Sequence, residues 1–151
     1  MTARYQAEAA VAPALGVAIQ ALAVREPDDF DAAFAAMNRE RPDGILLVTD
    51  VLTILNRKRV IEFAADRRVP AIYEFDFLVR DGGLMSYGPD GKELAARIGG
   101  LVGRILQGAK AGDLPFEQPT RFRFVINQRT ANALGLTVPQ SLIVTADEII
   151  E

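Results

Sequence analysis

The sequence predicts an α/β fold: a mostly parallel sheet flanked by helices. Two observations carry this. Helix-period segments alternate with short apolar runs of strand length, the pattern of β–α–β units. One of those runs, Ile45 to Val48 inside GILLVTD, is continuously apolar, as a strand buried on both faces would be. At 151 residues the chain makes one ordinary domain with room for a core.

The elements follow in order. Tyr5, Ala9, Ala12 and Leu15 recur at helical spacing and predict a helix over residues 4–15, with Gly16 as its stop. Residues 17–24, VAIQALAV, form a compact apolar run and predict a strand. Pro27 and Asp28 open a second helix, whose first turn carries Asp28, Asp29 and Asp31, favourable at the positive end of the helix dipole. Phe30, Phe34 and Met37 mark its buried face. After GILLVTD, a helix through Arg57, Val60, Ile61, Ala64 and Ala65 ends at Arg67-Arg68-Val69-Pro70. AIYEF, residues 71–75, begins the next strand. Asp81-Gly82-Gly83 is a turn, and residues 84–87 are a short strand. Gly88-Pro89-Asp90 leads into a long helix over residues 92–107, capped by Gly108. Gly99, Gly100 and Gly103 lie inside it, each costing about 1 kcal/mol relative to alanine, so close backbone packing is expected on that face. The last stretch, residues 121–151, reads as a strand, a short helix, a proline break and an acidic end.

Composition removes several functions. There is no Cys and no His, so disulfides, thiolate sites, Ser-His-Asp triads and the commonest metal ligand are all excluded within the chain. Net charge is −3 with the signs interspersed, so no nucleic-acid partner is expected. Arg57-Lys58-Arg59 is three charges on a solvated helix face, too few to change that. No apolar run reaches the roughly 20 residues that span a bilayer. MTARYQAEAAVAPALGV lacks a basic start and a long apolar core, so no signal peptide is expected and the polypeptide as written is cytoplasmic. No cofactor and no metal are expected.

Ligands of open α/β sheets bind outside the carboxyl ends of the strands. That rule selects three loops: Thr49-Asp50, Glu74-Phe75-Asp76-Phe77, and Tyr87 to Asp90. Each joins hydrogen-bonding groups to an aromatic ring or a tight turn, the mixture a small polar molecule needs. Asp50 and Asp90 also suit helix N-caps. Glu74 and Asp76 could form an acid–base couple, which leaves a small flavodoxin-like enzyme as a further reading.

Three stretches carry a family likeness: GGLMSYGPD, RILQGAKAGDLPFEQPTRFRFVIN and TANALGLTVPQSLIVTADEIIE. Together they resemble the C-terminal half of ABC-transporter substrate-binding proteins of the tryptophan/tyrosine type. The resemblance implies one lobe of a type I periplasmic-binding-protein fold, two α/β lobes closing on a ligand. Residues 84–90 and 116–125 then resemble hinge crossings, and helix 92–107 a lobe-one element. It implies a small-molecule ligand, an amino acid or a sugar, and an ABC permease as partner of the full-length protein, outside the cytoplasm. It is not an enzyme on this reading. The implied ligand-facing residues are Thr49, Asp50, Glu74, Phe75, Tyr87 and Asp90. The chain opens on a helix with no strand before it, so the lobe's first strand is expected to be missing. A truncated lobe would expose apolar surface and unpaired backbone, and a homodimer is expected to cover them. The alternative is a stand-alone homodimeric interaction protein with no transport role.

Overall fold

A computed structural model describes residues 3–151; Met1 and Thr2, which open the segment judged not to be a signal peptide, lie outside the described residues. The chain divides into two compact units, residues 1–41 and 42–151. In the first, helix α1 (Ala3–Val11) runs into a 3-10 turn, Ala12–Leu15, closed by left-handed Gly16 at φ 67°. Helix α2 (Asp29–Arg39) follows, with Asp28 at its N-cap and Phe30 and Ala33 buried. The ring of Phe34 lies 6.1 Å from that of Phe30.

The strand expected at residues 17–24 does not form. The segment is non-helical, enters no ladder and is largely exposed. Apolar composition fits a strand but does not make one; a strand exists only with a neighbour to bond to.

The second unit holds a five-stranded sheet in sequential order: β1 (Ile45–Leu46), β2 (Ala71–Tyr73), β3 (Met85–Pro89), β4 (Phe122–Asn127) and β5 (Glu148–Ile150). Neighbours are parallel except β3 and β4. Helices α3 (Val51–Leu55) and α4 (Arg57–Arg67) connect β1 to β2, broken at Asn56 where one helix was expected. The short α5 (Asp76–Arg80) connects β2 to β3. Helices α7 (Gln128–Leu134) and α8 (Gln140–Thr145) connect β4 to β5. The acidic end is therefore a strand, β5, a pairing that three exposed-looking acidic positions did not announce.

The main apolar cluster lies where α4 and α5 meet β2. Ile61 and Ala64 of α4 pack with Ala71 and Tyr73 of β2 and Leu78 of α5, and Ile45 and Leu47 lean on this cluster. Side chains alternate along β1, so Leu46 and Val48 point the other way. They are 51% and 37% exposed. The expectation that β1 is buried on both faces is thus wrong: one face is covered and the other is open.

The antiparallel pair has a simple cause. β3 ends at Pro89, and the chain leaves the sheet as α6 (Gly91–Leu106) and a loop before returning as β4. It leaves and returns at the same point, where the Asp90 N–H donates to the Arg121 carbonyl at 3.0 Å. Between them stands an arm. Arg97 and Arg104 of α6 reach Glu117 of the returning loop at 3.4 and 3.2 Å. No residue of α6 is buried. Its glycines pack against nothing: a Cβ at Gly99, Gly100 or Gly103 would meet no atom within 4 Å. The close packing expected of them does not occur in this chain.

Candidate functional site

Three parallel strands end at one rim, and the antiparallel turn brings the starts of β4 and β5 to the same rim. All six expected residues lie on it, at the ends of β1, β2 and β3. The rim also gathers Arg121, Phe122, Arg123, Asp147 and Glu148, which the strand-end rule missed because it looks only at carboxyl ends. The signal was in the sequence: the long excursion over residues 90–121 between two strands permits an antiparallel return.

Asp50 is a helix cap. Its carboxylate accepts from the Thr53 N–H at 2.7 Å, and its own N–H donates to Thr53 Oγ1 at 2.8 Å, a capping box that starts α3. Beside it, Thr49 Oγ1 is buried without a partner among the described residues. A buried hydroxyl with no hydrogen bond is costly, about 1–3 kcal/mol.

Glu74 is fixed through its backbone. A side chain at Gly88 would collide with the Glu74 carbonyl oxygen, so glycine lets the end of β2 lie against β3. Phe75 then stacks on Phe77, centroids 5.9 Å apart at 15°. Across the rim Tyr87, 58% exposed, stacks on Phe122 at 5.7 Å and meets Phe124 edge-on at 6.3 Å. The rim therefore carries two aromatic surfaces.

Asp76 is held by two arginines. It lies 3.4 Å from Arg123 and 3.6 Å from Arg80, and both arginines also bind Glu148. The Arg80 hydrogen bond, then the charges of Arg80 and Arg123, hold the Glu148 carboxyl below its ordinary value against the opposing effect of burial. This cluster ties α5, β4 and β5 together.

Asp90 is the buried cap of α6, accepting from the N–H groups of Lys92 and Glu93 at 2.9 and 3.4 Å. The Lys92 N–H contributes most to holding its carboxyl below the ordinary value; the Glu93 N–H and the charges of Arg121 and Arg123 add to it, and desolvation opposes. An open groove here is lined by Asp90, Lys92, Glu93, Arg121, Arg123 and Asp147, groups of both signs. Among the described residues no group of three acids could hold a metal, and no helix is long and apolar enough to cross a membrane.

A mostly parallel sheet flanked by helices, with a rim of polar and aromatic groups, is the α/β architecture of periplasmic-binding-protein-like domains. Comparison with known proteins agrees. The family model for ABC transporter substrate binding proteins matches residues 3–150, and the chain belongs to that family, one of binding proteins and not of enzymes. A curated relative, the tyrosine-binding protein of Clostridioides difficile, is 28% identical over 94 residues, covering 62% of this chain and 27% of the relative. Among solved structures, an ABC domain from Streptococcus pneumonia in complex with L-Trp is 26% identical with a TM-score of 0.87, covering 97% of this chain and 51% of its own. A conserved domain protein from Vibrio cholerae has a TM-score of 0.88 at 22% identity, over 97% of this chain and 49% of its own. At that identity it speaks for the fold alone. The chain spans about half the length of these solved relatives.

Proposed function

We propose that this chain provides one wall of a ligand cleft in a two-lobed ABC substrate-binding protein that delivers an amino acid with an aromatic side chain to a permease outside the cytoplasm. One observation carries the reading. The rim sets stacked aromatic surfaces, Phe75–Phe77 and Tyr87–Phe122, beside acid groups and the unpartnered Thr49 hydroxyl. An aromatic amino acid needs this combination: a flat apolar wall for the ring and carboxylates for the ammonium group. Asp50 and Glu74 are the residues for the ammonium, Thr49 for the carboxylate, Phe75 and Tyr87 for the ring, and Asp90 holds the far edge of the rim. The relatives that bind tyrosine or hold L-Trp support this choice over a sugar. Residues 84–90 and 116–125 serve as crossings between lobes, and helix 92–107 packs on the other lobe, which accounts for an amphipathic helix with nothing buried.

The chain contains no Trp, so the emission of added L-Trp reports binding without background. Titrating the chain into L-Trp should shift its emission to the blue and saturate. One wall buries far less than the roughly 70–90% of ligand surface a closed site covers, so a Kd of about 1 mM is expected. Phe75→Ala should abolish the shift while leaving the melting temperature nearly unchanged. Unaltered L-Trp emission at protein concentrations above that Kd, or an equal response to a sugar in a displacement assay, would refute the reading.

A further inference from the structure

The rim has two aromatic surfaces, and something must set where one stands relative to the other. Tyr87 and Phe122 stack within the β3–β4 ladder, so backbone pairing places them. Phe75 and Phe77 lie at the start of α5, beyond the last β2–β3 pair, Tyr73 with Ser86. A side-chain link joins the two. Asp76 is the residue between Phe75 and Phe77, and Arg123 is the residue between Phe122 and Phe124. Arg123 Nη1 lies 3.4 Å from Asp76 Oδ2, and its Nη2 binds Glu148.

The path of this link is specific. β3 separates β2 from β4, so the link has to pass β3. It does so at Gly88, the register partner of Arg123. There a side chain would collide with the Glu74 carbonyl, so glycine lets the loop after β2 settle close to β3, within reach of Arg123. Side chains alternate along a strand, so Arg123 points away from the face of Phe122 and Phe124. Its guanidinium fork is taken by two carboxylates, which is the work of a brace and not of a ligand donor. Arg80 cannot replace it. Its pair with Asp76 stays within one helix, and it reaches Glu148 from the last residue of α5, the end away from Phe75. We infer that Arg123 is a positioning residue of the ligand wall: through Asp76 it fixes the Phe75–Phe77 surface relative to Tyr87 and Phe122. The inference rests on the reading of the rim as a wall for an aromatic amino acid, and its test separates the two.

The L-Trp titration is repeated with Arg123→Gln, Asp76→Asn and the double variant. Each single change should raise Kd about threefold, within the range open to a partly exposed ion pair. The double variant should bind like Asp76→Asn alone, because Arg123 acts through Asp76. Arg57→Gln removes a pair of similar exposure at the other end of α5, with Asp81, and should leave Kd unchanged. Hydrogen exchange gives a readout that needs no ligand. The Leu78 amide donates to the Phe75 carbonyl at 3.2 Å, and the Val69 amide to the Ala64 carbonyl at 2.9 Å, at the end of α4. In Arg123→Gln the Leu78 amide should exchange about threefold faster relative to the Val69 amide, as a local opening would. Equal acceleration of both amides, or an unchanged Leu78 amide, overturns the inference, since the pair then holds no particular loop. So does an Arg123→Gln chain that binds L-Trp as tightly as the parent. So does a double variant whose losses add, because Arg123 would then act without Asp76. A parent chain that binds no L-Trp refutes the ligand reading, and the Leu78 amide then decides alone whether Arg123 holds the loop.

Discussion

Helices α4 and α6 present the same problem and solve it differently. Helix α4 is mostly charged, yet it buries Val60, Ile61 and Ala64. Helix α6 has the cleaner apolar stripe, with Leu94, Ile98, Leu101 and Ile105 at spacings of four, three and four, and it buries nothing. Ile98 and Val102 stand about half exposed, and Leu106 more so. An amphipathic pattern says that a face needs cover; it does not say what covers it. For α4 the cover is the sheet of its own unit. For α6 it is not in the described residues, and the arm keeps its shape through ion pairs to its own return loop.

The sharpest way to break this comparison is to remove a side chain from each side. Leu78 is 1% exposed in the cluster that α4 covers. Leu78→Ala should cost about 2–5 kcal/mol in urea unfolding, the sum of lost transfer energy and a cavity. The matching change on the arm, Ile98→Ala, should stay within about 0.5 kcal/mol, since nothing is packed there to lose. Equal costs would mean that α6 is packed against a partner in solution.

The same contrast explains what could be read from the sequence. Helices announced themselves through spacing and caps, and Gly16, Asp28, Asp50, Asp90 and Gly108 mark ends that the structure keeps. Parallel strands were found where the apolar run was followed by a helix. Pairing was the hidden part. Residues 17–24 are the longer and more apolar run, and residues 148–150 are short and begin with an acid, yet only the second finds a neighbour, β4, and only the second is a strand. The rim was legible for the three strand ends, and half hidden beyond them. Arg123 and Glu148 are ordinary surface charges in the sequence; they become a cluster only because β4 runs back along β3. The sequence offered Asp50 and Asp90 both as rim acids and as helix caps, and the structure uses both as caps.

A smaller effect in the opposite direction would sharpen the comparison. Gly103 is a helical residue of α6 whose added Cβ would touch nothing. Gly103→Ala should raise stability by about 0.5–1 kcal/mol by restricting the unfolded chain. Thermal unfolding checks it. A loss instead would show that something in solution approaches the helix backbone there, as a lobe partner would.

The subtlest difference lies in the two ion clusters. Glu148 is tied to Arg80 and Arg123 at the sheet, and Glu93 to Arg97, Thr120 and the Arg121 N–H at the root of the arm. Both carboxyls are held below their ordinary values, Glu148 first by the Arg80 hydrogen bond and Glu93 first by the Arg97 hydrogen bond. The sign is the same for both. Their contribution is present above the unfolded pKa, and it is lost as pH falls through the depressed folded one. The consequences differ with what each cluster holds. Glu148 joins β5 to β4 and α5, so Glu148→Gln should flatten the acid side of the stability–pH curve, an effect of about 1 kcal/mol or less for partly exposed pairs. Glu93 holds only the arm to its root, so Glu93→Gln should flatten that curve less than Glu148→Gln does. It should also speed hydrogen exchange of the Arg121 amide, which donates to Glu93 at 3.1 Å. If Glu93→Gln flattened the acid limb as much as Glu148→Gln, the arm would be part of the cooperative core, and the contrast between α4 and α6 would be one of surface exposure without a difference in folding.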